Sequence, residues 1–270
     1  MAFILDDEAS FPKPNASIEE YARACSNAVD EAVAKWPVVE TTENATVSTG
    51  FIGDNKLRST LWTQSFDVVT SKDNKDAEGQ IVLEDLLSSF KDIFSSDDLA
   101  KHATEWDATF AGADIVAKLA ENDKTNVVRW KFDASPLSSR DLLYLIHRLE
   151  ETTDEKNPKQ ILRWTYGYAS VSDEWVKETT GNEVNYAEGE NRIRSFNCFP
   201  SCDRMTVYMD DPSSGTAKVT VDHLLTTDLA GQVGPFVFNN FFKKAAIQAS
   251  AHESEAMRKY ALSLCTSSKK

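Results

Sequence analysis

Apolar residues at Ile18, Tyr21, Ala22, Cys25, Val29, Ala32 and Val33 recur every three or four positions. That spacing predicts one buried face of an α-helix. Ser17 stands where an N-cap belongs, Glu19 and Glu20 suit the positive first turn, and Pro37 stops the run. Residues 1–16 are acidic and proline-containing and read as a loose arm. From 38 to 69 the period falls to two. Val and Thr dominate, Gly50, Gly53 and Asn55 interrupt, and residues 57–69 alternate as a strand does. Residues 70–79 are polar and predict a loop. Helical spacing returns at about 81–94, with Leu83, Leu86, Leu87, Phe90 and Phe94 on one side. A shorter helix carrying Leu99, His102 and Trp106 follows.

The second half is dominated by strand-like runs. Ile115 to Leu119 and 127–132 come first. Then come 141–149, 161–171, 192–208 with a break near Pro200, and 217–228. Polar stretches rich in Asp, Glu, Asn, Gly and Pro separate them, as loops of an antiparallel meander would. The chain closes on a long predicted helix from about Pro235 to Leu264, with an apolar line through Phe238, Phe241, Phe242, Ala245, Ala249, Ala256 and Tyr260. This order defines an α+β fold, an antiparallel sheet with helices on one face. A long amphipathic helix laid on a curved sheet leaves a space suited to a ligand. Residues 265–270 form a tail.

Composition narrows the functional classes. The 270 residues are 41% hydrophobic and 27% charged, enough for one large core. The net charge of -14 repels nucleic acid and disfavours stable docking on anionic membranes, and Lys269 and Lys270 are too few to offset it. No apolar run approaches the roughly 20 residues that span a bilayer, and the first residues do not form a secretion signal. A cytoplasmic protein with reduced thiols is expected. Of Cys25, Cys198, Cys202 and Cys265 only the middle two are close in sequence, and no second Cys/His pair completes a metal site.

Several short stretches, taken in order, resemble one family. Glu105-Trp106-Asp107 follows the second predicted helix. Pro136-Leu137-Ser138-Ser139-Arg140-Asp141 enters a strand, and Asn191-Arg192-Ile193-Arg194-Ser195-Phe196 forms another. Lys218-Val219-Thr220-Val221 precedes Asp228, Gly231, Pro235 and Asn239. Together they resemble the START (steroidogenic acute regulatory protein-related lipid transfer) domains over residues 17–264. The resemblance implies a helix-grip fold, a curved antiparallel sheet wrapped around the C-terminal helix. It also implies one lipid held without covalent chemistry, transient membrane contact, a monomer, and no cofactor, metal or nucleic acid. Gly231 and Pro235 stand one residue further apart than is usual in the family. Cholesterol-binding members carry an arginine six residues after the arginine of the Arg-Asp pair; here that position is Ile146, which points to a more apolar wall.

Alternation makes Leu142 and Tyr144 face-mates of Ile146, and pairs Ser195 with Asn197. Asn197 lies where those members carry a cavity histidine, so its amide is a candidate for the ligand's polar group; backbone or water could satisfy it equally well. Trp130, Trp164, Tyr166 and Tyr168 fall on neighbouring strands and, with Phe238, Phe241 and Phe242, read individually as core and collectively as a lipid-binding wall and lid. Catalysis finds little support. His102, His147, His223 and His252 sit in different elements, and Asp222-His223 and Asp203-Arg204 point their neighbouring side chains to opposite faces. The acidic runs 73–78, 150–155 and 188–190 read as solvated loops. The alternative to a lipid carrier or sensor is a cyclase- or hydrolase-type enzyme on a related helix-grip fold.

Overall fold

The structure is a computed structural model, and it describes residues 17–43, 45–52, 57–69, 81–82, 109–119, 124–133, 138–151, 160–209 and 216–228, with helical positions 247–248, 251–252, 255–256 and 259. Helix α1 (Ile18–Lys35) begins in a full capping box: the Ser17 hydroxyl accepts from the Glu20 N–H, and the Glu20 carboxylate accepts from the Ser17 N–H. Its buried face is the predicted one with Ser26 and Ala28 added, except that Val33, in the last turn, is exposed.

Among the described residues twelve strands follow, β1 (Val38–Thr41), β2 (Ala45–Gly50), β3 (Ser59–Val69), β4 (Ile81–Val82), β5 (Phe110–Lys118), β6 (Thr125–Phe132), β7 (Arg140–Glu151), β8 (Gln160–Ser170), β9 (Ile193–Asn197), β10 (Cys202–Tyr208), β11 (Thr216–Leu225) and β12 (Thr227–Asp228). They form one sheet in the order β1-β2-β3-β11-β10-β8-β7-β6-β5. The meander is therefore broken once. β11 inserts beside β3 and joins the two ends of the chain, while β4 and β9 pair in parallel with β3 and β7.

Three expectations need correction. Ile81 and Val82 belong to a strand, not to a helix start; two β-branched residues extend the pairing of Val68 and Val69. The remainder of that predicted helix, and the helix around His102, lie outside the described residues. A helix α2 (Asp173–Thr180) occupies part of a stretch read as loop. It is too short to show an apolar period and buries only Val176, but it carries its own punctuation: Ser172 caps it, and Gly181 closes it with φ of 74°, which glycine adopts without strain. Finally, the acidic runs are not all solvated loop: Glu150 and Glu151 belong to β7, and Glu190 is held by the ion pairs described below.

The sheet separates two apolar layers. On one face Ile18, Tyr21, Cys25, Val29 and Ala32 of α1 pack on Leu61, Leu143, Leu145, Ala169 and Leu224. The approach is close: a Cβ on Gly167 would stand 2.9 Å from the Ala22 Cα. On the opposite face the buried cluster includes Trp62, Leu142, Tyr144, Ile146, Trp164 and Met205, and it takes in Ala251, with Ile247 and Ala256 packed against it. These three are among the described positions of the expected C-terminal helix.

Candidate functional site

The face opposite α1 is built by strict alternation. On β7, Leu142, Tyr144 and Ile146 all join its cluster, while Leu143 and Leu145 join the α1 layer. β6 and β8 flank β7 rather than each other, so Trp130 lies across one strand from Trp164, Tyr166 and Tyr168. Rings connect them. Tyr168 meets Tyr144 at 5.4 Å, Tyr144 meets Trp130 at 6.3 Å, and Trp130 meets Phe110 at 5.0 Å and Phe132 at 6.0 Å between centroids. The result is an aromatic ladder across four strands.

Sequence reasoning missed a second feature of this face. Register sets Arg148 opposite Tyr166, Tyr166 opposite Asp203, Asp203 opposite His223, and His223 opposite Trp62. One transverse row thus crosses five strands and is polar through most of its length. Asp203 holds it together, accepting from the Tyr168 hydroxyl and pairing with the His223 Nδ1. Trp62 stacks on the His223 ring at 5.2 Å. Burial pushes the Tyr168 phenol well above its ordinary range, and the Asp203 carboxylate pushes it further, so the phenol keeps its proton and donates. Asp203 and His223 are far apart in the chain, and only strand register joins them. Arg148 was within reach of alternation, two residues beyond Ile146.

The same face holds polar atoms without hydrogen-bond partners. They are the indole nitrogens of Trp62, Trp130 and Trp164, both polar atoms of the Gln64 carboxamide, and Nε and Nη1 of Arg148. Such groups cost about 1–3 kcal/mol each when buried and unmet.

Of the expected site residues, Trp130, Leu142, Tyr144, Ile146 and Trp164 come together in or against this one cluster. Ser195 and Asn197 are buried on β9 and outside the cluster. The Asn197 carboxamide oxygen accepts from the Thr227 hydroxyl at 3.2 Å and the Asn197 backbone N–H donates to the Ser170 hydroxyl at 2.7 Å, so the fold supplies partners of its own. Phe238, Phe241 and Phe242 lie outside the described residues.

On the α1 side of β6 and β7 the chemistry is ionic. A cavity of about 400 Å³ is bordered by Arg129, Asp141, Asp173, Glu190, Arg192 and Arg194. Its charges cancel in place. Arg129 bonds Asp141 at 2.6 Å and Glu190 at 3.1 Å, Arg194 bonds Asp141 at 3.1 Å and Asp173 at 3.0 Å, and Arg192 bonds Glu190 at 2.9 Å. Desolvation opposes the Glu190 charge, but hydrogen bonds from Arg129 and the Ala187 N–H outweigh it and hold the carboxyl at about 2. Of the Arg-Asp pair in the START-like stretch, Asp141 thus stands at the centre of an ion-pair network, while Arg140 donates to the Ser138 carbonyl.

No family model and no curated protein matches this sequence. Solved structures do. The chain is similar to human STARD10, at 16% identity over 88% of this chain and 80% of that one, with a TM-score of 0.54. It is similar to human StAR-related lipid transfer protein 5, at 16% identity over 90% and 96%, with a TM-score of 0.53. A STAR-related lipid transfer protein from Xanthomonas axonopodis matches at 14% identity over 84% and 98%, with a TM-score of 0.51. The fold is that of a START-like domain. Among the described residues no helix is long and apolar enough to cross a membrane.

Proposed function

We propose that residues 17–264 form one lipid-binding domain that takes up a single hydrophobic molecule of the sterol, phospholipid or sphingolipid class. The guest lies between the C-terminal helix and the sheet face opposite α1. Trp130, Leu142, Tyr144, Ile146 and Trp164 form its wall, Ser195 and Asn197 its polar margin, and Phe238, Phe241 and Phe242 its lid. The protein carries or senses this lipid in the cytoplasm as a monomer, touching membranes transiently and making no covalent bond. The aromatic ladder, on a face where the indole N–H groups of Trp62, Trp130 and Trp164 have no hydrogen-bond partner among the described residues, carries this reading. The likeness to lipid transfer proteins supports it. Hiding an acyl chain supplies about 0.8 kcal/mol per CH2.

Native mass spectrometry of the purified chain tests it: a co-purifying lipid is expected. Failure to extract any lipid class from vesicles, with no lipid raising the melting temperature, would refute the carrier reading. An enzyme on this scaffold draws on one observation, the Tyr168–Asp203–His223 group. That reading requires a bound molecule to be chemically changed by the wild type and not by His223→Ala.

A further inference from the structure

Arg129, Arg140 and Arg204 are all buried; Arg140 donates to the Ser138 carbonyl, while Arg129 and Arg204 show how a buried guanidinium is held by carboxylates. Arg129, 1% exposed, is held by Asp141, Glu190 and the Asn185 carbonyl. Arg204, 4% exposed, is held by Asp222, Asp30 and the Ser26 carbonyl. Each has two carboxylates, which offset the cost of taking a charge out of water.

Arg148 breaks this pattern. It is 5% exposed. Alternation on β7 turns it to the face opposite α1, beside Ile146, and its guanidinium lies 5.6 Å from the centroid of the Trp164 ring. Nε and Nη1 have no hydrogen-bond partner. Among the described residues no carboxylate lies within ion-pair distance. Asp203, the acid of the same row, stands beyond Tyr166 and is engaged by Tyr168 and His223. Trp164 adds a second unmet donor, its indole N–H. The Tyr166 phenol is a hydrogen-bonding neighbour of the guanidinium, but among the described residues no carboxylate accepts from Arg148 or from the Trp164 indole.

We propose that Arg148 and Trp164 form an anion subsite on the lipid-binding face, and that the preferred guest is an acyl lipid with an acidic head, a carboxylate or a phosphate monoester. This rests on the lipid-binding reading above and specifies its ligand. The net charge of -14 disfavours anions everywhere else, so any preference for an acidic head must come from a local cation. An acidic oxygen at Arg148 supplies the pairing that Asp141 and Asp222 give Arg129 and Arg204.

Matched lipid pairs test this with the full chain. Phosphatidylcholine vesicles are doped with palmitic acid or hexadecanol, and separately with lysophosphatidic acid or the corresponding monoacylglycerol, and extraction of each is measured. The wild type is expected to favour the acidic member of at least one pair by roughly 10- to 100-fold, and the pair that responds tells carboxylate from phosphate. Arg148→Met is expected to abolish the preference, keep uptake of the neutral member, and melt within a few degrees of wild type, because it removes a buried charge that no carboxylate balances among the described residues. Arg148→Gln repeats the measurement with a polar group of similar length. Equal uptake of both members by the wild type, or a preference that survives in both variants, overturns the proposal while leaving lipid binding intact. So does a large loss of stability in both variants, which would mark Arg148 as structural. Extraction of none of the four lipids by the wild type removes the lipid-binding reading and this one with it.

Discussion

Arg204 on β10 and Asp222 on β11 stand directly opposite one another and are joined by two hydrogen bonds, at 3.1 and 2.9 Å, on the face that α1 covers. A third bond, from Arg204 Nη1 to Asp30 at 2.6 Å, ties the pair to the helix. Removing one partner strands a buried charge. Asp222→Asn is therefore expected to cost about 3–5 kcal/mol in chemical denaturation. The double variant Arg204→Met, Asp222→Leu should recover most of that loss. A single-variant loss below about 1 kcal/mol would mean the pair behaves as an exposed one.

The seat of α1 is equally specific. Gly167 leaves room for the backbone at Ala22, and an added Cβ would fall 2.9 Å from the Ala22 Cα and 3.2 Å from the Tyr21 ring. Neither can retreat without moving the helix. Gly167→Ala is expected to destabilise the protein by about 1–3 kcal/mol, read as a lower denaturation midpoint with an unchanged slope. An unchanged midpoint would show that α1 rides loosely on β8.

The ionic network makes a pH prediction. The Glu190 carboxyl titrates near 4.5 when unconstrained and near 2 in the fold. A depressed carboxyl stabilises the fold above its unfolded value, and that stabilisation disappears as pH falls toward the folded one. Wild-type stability should decline between roughly pH 4.5 and 2, and Glu190→Gln should be less stable at neutral pH with a flatter decline. Parallel curves for the two proteins would show that Glu190 does not couple to folding.

If Phe241 and Phe242 act as a lid, a charge there hinders opening and docking more than it hinders folding. Phe241→Asp and Phe242→Asp should each reduce lipid transfer between vesicles by more than their melting temperatures suggest. Equal losses of transfer and stability would identify the rings as ordinary core.

Much of this was legible in the chain because it is local. Ser17 and Glu20 lie three residues apart and form their capping box wherever the helix starts. Leu142, Tyr144 and Ile146 share a face because strand side chains repeat every second residue. Local signals also failed where they were weak. Eight residues of α2 are too few to display a period, and the two residues of β4 were absorbed into the helical pattern that follows. Glu190 looked like one acid among several, since its partners Arg129 and Arg192 reach it from another strand and from the loop.

By itself, then, the sequence determined α1, the α+β succession, the strand faces and the absence of a long apolar span, all set by neighbours within one or two turns of chain. Only the tertiary structure decided which strands meet. It brought β11 beside β3, so that Ser59 bonds Thr226 across 167 residues, and it aligned Asp203 with His223, two residues that alternation along a single strand cannot relate. It also gave Arg204 its acids and, among the described residues, left Arg148 without one. The physical reason is that periodicity is a property of one segment, whereas register and charge pairing depend on where distant segments close upon each other.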